Sequence, residues 1–122
     1  MTEINEFDDL INLGKVNRKV KLLGHEITME TLDSGSYSQA MSQVPDNVSD
    51  SKRLESMQRE IVGASIKLID GKPITAETRK KLMANSQLGL SNILYNEYLG
   101  MVQEQSKILE DAKKNSSQAL TT

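Results

Sequence analysis

The single histidine of the 122-residue chain, His25, follows a glycine in the stretch KVNRKVKLLGHEITMETL (15–32). An imidazole can act as general base or metal ligand, but either role needs other polar groups converging on it. Its neighbour Glu26 would point to the opposite face of a strand. His25 therefore reads as a solvated turn residue. Acidic residues come in pairs: Asp8-Asp9, Asp46 with Asp50, and Glu110-Asp111. None repeats at a metal-loop spacing, and DNVSDSKRLE (46–55) lacks the central glycine and ligand ladder of a calcium loop. Asp70-Gly71-Lys72-Pro73 lacks the glycine run of a phosphate cradle and reads as a turn. The serines sit in no nucleophile-elbow pattern. The chain has no cysteine, so thiolate chemistry, disulfides and cysteine-based zinc sites are excluded. Arg79-Lys80-Lys81 is a short basic cluster on a helix that could meet phosphates, but no aromatic platform accompanies it. No catalytic residue, metal site or cofactor is expected.

These residues need a scaffold, and composition bounds it. The length suits one domain. Apolar residues are 37%, aromatics 3%, and there is one Phe and no Trp, so the core must come from Leu, Ile, Val and six Met. Methionine fills irregular gaps but specifies packing weakly, a composition that suits equally a chain that completes itself against a partner and a marginally stable monomeric helical domain. Fifteen basic against seventeen acidic residues leave a formal charge of −2, which argues against nucleic acid as the main partner. The acidic MTEINEFDDL start lacks a signal-peptide layout, and no apolar run approaches the ~20 residues needed to span a bilayer. A soluble chain made in the cytosol, with no membrane partner, is the expectation.

The elements follow from periodicity. Residues 3–13 predict a short helix with Ile4, Phe7, Leu10 and Ile11 on one face and Gly14 at its end. Alone it is too short to be stable, so it is expected to form by docking that stripe on another surface. Period-two alternation predicts a β-hairpin at about 16–31, with a type II′ turn at Gly24-His25 and two edges open for docking. Tyr37, Ala40, Met41 and Val44 mark a helix ended by Pro45. Leu54, Met57, Ile61 and Leu68 mark a longer one from about Ser51, capped by Ser49 or Asp50 and closed at Gly71. Thr75 caps a helix over 76–85. Leu94, Tyr98, Met101, Gln105, Ile108 and Ala112 give the longest helix, 91–114, with Ser91 as cap and a Glu104–Lys107 pair on its other side. The fold class is thus mainly α (α+β), a small helical domain with an N-terminal hairpin. The organisation is an arm (1–14), one α-rich domain (15–114) and a polar C-terminal tail (115–122) expected to fray.

Three pieces carry a resemblance: RKVKLLGHEITMETL, the helix end running into IVGASIKLIDGKPI, and LSNILYNEYLGMVQEQSKIL. In this order they resemble the small tail assembly chaperones of long-tailed bacteriophages. The matches are Ile69-Asp70-Gly71-Lys72-Pro73 and Leu94-Tyr95-Asn96-Glu97-Tyr98, within a span of roughly 16–110. DSGSYSQAMSQV is more serine-rich than that family's pattern, and the 76–85 helix is short. Related small proteins also stay in the particle as baseplate, hub or neck components. The resemblance implies non-enzymatic tail morphogenesis by protein–protein binding, as chaperone or resident structural protein. It implies tape-measure, tube or baseplate subunits as partners, with possible homo-oligomers. The location would be the host cytoplasm during assembly, or the virion tail or baseplate. Expected contact residues are Phe7, Ile27, Met29, Tyr95 and Met101. The alternative is a small nucleic-acid-binding or regulatory module using Arg79, Lys80 and Lys81.

Overall fold

The computed structural model describes the backbone of residues 7–121 and the side chains of residues 7–115. The elements in chain order are α1 (Asp8–Ile11), β1 (Asn17–Leu22), β2 (His25–Glu30), α2 (Ser34–Ser42), α3 (Asp50–Ser65), β3 (Ile66–Ile69), β4 (Lys72–Pro73), α4 (Ala76–Asn85) and α5 (Leu88–Thr121). The mainly helical α+β class is as expected. The part of the 3–13 helix before Phe7, including Ile4, lies outside the described residues.

The hairpin forms where alternation places it. β1 and β2 pair antiparallel, with Val20 opposite Ile27 and Leu22 opposite His25. Val16 and Thr31 close its open end: the Thr31 amide donates to the Val16 carbonyl, and the Val16 amide donates to Thr31 Oγ1, both at 3.0 Å. The turn differs from the II′ expectation. Its central residues are Leu23 and Gly24, at φ +52° and +81°. Two left-handed residues define type I′, whose twist matches that of the flanking strands. His25 is therefore the first residue of β2.

The larger correction is at the end of α3. Leu68 was expected on that helix, but the helix stops at Ser65 and Ile66–Ile69 is a strand. The Ser65 hydroxyl turns back onto the Val62 carbonyl at 2.7 Å. Ile66, buried and β-branched, then takes extended geometry. β3 pairs with β2, setting Ile69 opposite Ile27 and Ile66 opposite Met29, with a bulge between Thr28 and Met29. A second tight turn, Asp70-Gly71 at φ +55° and +78°, returns the chain into the two-residue β4. The sheet order is β1-β2-β3-β4, all antiparallel. One of the two hairpin edges expected to be open is thus occupied by the chain itself. On β1, Lys19 and Lys21 point outward and discourage indiscriminate strand pairing.

Helix starts follow their caps. Asp33, Ser49 and Thr75 each accept an amide from three residues on, at the heads of α2, α3 and α4. α5 starts at Leu88, earlier than expected, so Ser91 is a buried helical residue and not a cap. It runs to Thr121, through most of the stretch expected to fray. Thirty-four residues span roughly 50 Å at 1.5 Å each. One side of the sheet packs on α3 and α5, with α2 and α4 against α3. The core is Val16, Ile27, Met29, Ile61, Val62, Ile66, Met83, Leu94, Tyr98 and Met101.

Candidate functional site

The one histidine does find a partner. The β3–β4 turn lies beside the β1–β2 turn, and His25 Nδ1 donates to Asp70 Oδ2 at 2.7 Å. The other Asp70 oxygen accepts the Glu26 amide at 2.8 Å, and the Asp70 amide donates to the Glu26 carbonyl. These bonds, the Glu26 amide foremost and His25 next, hold the Asp70 carboxyl below its ordinary range. His25 is exposed but is not merely solvated; it ties two turns together. Among the described residues, no three His, Asp or Glu side chains stand close enough together to hold a metal ion.

The basic cluster is divided by the fold. Arg79 is half-buried, and its guanidinium donates to the Ile66 carbonyl at 3.1 Å, satisfying the group freed where α3 becomes β3. Lys81 pairs with Glu77 one helical turn back. Lys80 remains exposed on a groove of about 550 Å³ between α2, α3 and α4. Ala40, Gly63, Ala64, Met83 and Ala84 are among its apolar lining, and Arg59, Lys67, Arg79, Lys80 and Glu60 are its charged lining. Gly63 is what lets α4 come close: a Cβ there would stand 3.0 Å from Met83 Cγ. A second groove, about 490 Å³, lies between α2, α3 and α5, lined by Leu32, Tyr37, Met57, Tyr95, Leu99 and Val102, with Asp33 at its edge.

The five expected contact residues separate. Met29 and Met101 are fully buried and Ile27 is 7% exposed, so all three form the chain's own core. They sit there because β2 and α5 turn their apolar faces toward each other. Tyr95 is half-buried on the second groove, and Phe7 is 59% exposed. Exposed apolar side chains outside the stripes that sequence periodicity marks include Leu13, Leu23, Val48, Leu88 and Leu99. Leu23, 98% exposed at the hairpin tip, takes a left-handed conformation that leucine rarely adopts. The signal for it was the Leu-Gly dipeptide read one position too late.

The arm and α5 meet at Gly14, where an added Cβ would stand 3.1 Å from Leu109. Beyond this contact Phe7, Leu10, Ile11 and Leu13 remain exposed. On the opposite flank Arg18 of β1 reaches Glu97 at 3.2 Å and Glu104 at 3.9 Å across Gly100. Glu104 thus faces the sheet and not Lys107. The Tyr98 hydroxyl accepts the Leu32 amide at 3.2 Å, and burial pushes its own ionisation above the ordinary value.

The chain matches no protein-family model, no curated protein and no solved structure. Among the described residues, no helix is long and apolar enough to cross a membrane.

Proposed function

We propose that this chain is a non-enzymatic bacteriophage tail morphogenesis protein acting by protein–protein binding. It serves as a tail assembly chaperone or as a resident baseplate, hub or tail component. The observation that carries the binding reading is the apolar arm: Phe7, Leu10 and Ile11, in and just before the single turn of α1, are 59%, 67% and 70% exposed. Clustered apolar surface of this kind marks contact sites. Leu23 at the hairpin tip and Tyr95 on the second groove extend the same logic. The tail assignment rests on the order of the three resembling segments, in which the Asp-Gly motif makes the β3–β4 turn and Leu94 and Tyr98 pack in the core.

The test is co-expression with tape-measure, tube and baseplate proteins followed by affinity pull-down. Retention of one of them, weakened by Leu10→Ser with Ile11→Ser, is the expected result. No retention by any of them sinks the tail reading. Mass spectrometry of purified virions then separates the two roles: a fixed copy number in the particle identifies a resident component, and presence only among tail precursors identifies a chaperone.

A further inference from the structure

We infer that the basic groove between α2, α3 and α4 receives the acidic N-terminal arm of a second copy of this chain. The inference rests on the same exposed arm as the binding reading above and not on the tail assignment; self-association tests it, whereas retention by tail proteins tests the other. Charge and shape both point to it. The arm carries Glu3, Glu6, Asp8 and Asp9, with no basic residue before Lys15. Its described part is the single helical turn Asp8–Ile11 with Phe7 just before it, and it presents Phe7, Leu10 and Ile11 at the i, i+3, i+4 spacing of groove-binding anchors. The groove offers the complement: the small side chains of Ala64, Ala76 and Ala84 on its open side leave room for a helix to approach, and Arg59, Lys67 and Lys80 outnumber Glu60 around them. At about 550 Å³ it falls within the size of ordinary ligand clefts.

Two alternatives fit less well. The groove between α2 and α5 is more apolar, but its one charged lining residue is Asp33, which repels an acidic arm. Docking of the arm in its own chain's groove would bury Phe7, Leu10 and Ile11, and in this chain they lie exposed. Each copy then offers one arm and one groove. Such contacts close into a reciprocal dimer or a ring, or they propagate as a filament.

Analytical ultracentrifugation of the full chain tests this over a wide concentration range, at about 0.05 M and about 0.5 M NaCl. Four proteins are compared: wild type, Asp8→Lys with Asp9→Lys, Arg59→Glu with Lys80→Glu, and the combination of all four changes. Circular dichroism checks that each is folded; the four positions are exposed or half-buried, and none is in the core. The expected result is concentration-dependent association of wild type that weakens with salt. Each two-site reversal should weaken it about tenfold or more, and the combined swap should recover it, because opposite charges face each other again. A wild type that stays monomeric throughout overturns the inference. So does association that both reversals leave unchanged, or loss in each reversal without recovery in the swap.

Discussion

Replacing Leu23 by Asn should stabilise the protein. Leu23 sits at φ +52° in the β1–β2 turn and is 98% exposed. A left-handed L-residue costs roughly 1–2 kcal/mol, which asparagine largely escapes through local hydrogen bonding. At that exposure leucine has almost no packing to lose, so little offsets the relief. Asn-Gly is also the pair that type I′ turns favour. The net gain is about 1 kcal/mol. In a domain of this size that raises the melting temperature by roughly 3–5 °C, and it moves the urea midpoint up by about half a molar. Thermal and urea unfolding of the two proteins at neutral pH measure it. Leu23→Gly should gain less, because glycine also loosens the unfolded chain. An unchanged or lowered melting temperature in Leu23→Asn would refute the argument, since it would mean that Leu23 carries no strain or makes a contact that its exposure denies. The substitution also bears on function. A residue kept at a cost to stability, with its side chain in water, is suited to meeting a partner. Leu23→Asn should therefore weaken pull-down of the partner while strengthening the fold.

Met101→Ala removes a fully buried side chain from the centre of α5 and should cost about 2–5 kcal/mol in urea unfolding; a loss below 1 kcal/mol would mean the core is looser than its burial implies. Tyr98→Phe strips the acceptor from the Leu32 amide and should cost about 1 kcal/mol in the same assay. Because the Asp70 carboxyl is held below its ordinary value of 3.8, the stability it contributes is fully present above that value and is lost as pH falls through its lower folded-state value. Asp70→Asn should therefore flatten the fall of thermal stability below about pH 4, and identical acid profiles for the two proteins would contradict the turn-to-turn linkage.

Much of the architecture was legible in local chemistry. Alternation in 16–31 specified the hairpin, because a half-buried strand must put every second side chain inward. Ser49 and Thr75 marked helix starts, since capping is decided within a few residues, whereas the first helix ends at Ile11, short of Gly14. The stripe Leu94, Tyr98, Met101 on α5 specified which face is buried. What local chemistry left open was settled by long-range pairing. Leu68 continues a helical spacing, yet Ile66–Ile69 is a strand because β2 presents Ile27 and Met29 as partners some forty residues away. The Asp-Gly turn then lies beside the first hairpin, and only that juxtaposition gives His25 its carboxylate. Ile27, Met29 and Met101 read equally well as core or contact, because a sequence shows that a side chain is apolar but not what covers it. The same holds for the three adjacent basic residues: helical geometry separates their directions, and the fold draws Arg79 inward to the Ile66 carbonyl while Lys80 faces an open groove. The arm is the converse case. Its apolar stripe was visible in the sequence, and only the tertiary structure decides that, among the described residues, none covers Phe7, Leu10 and Ile11.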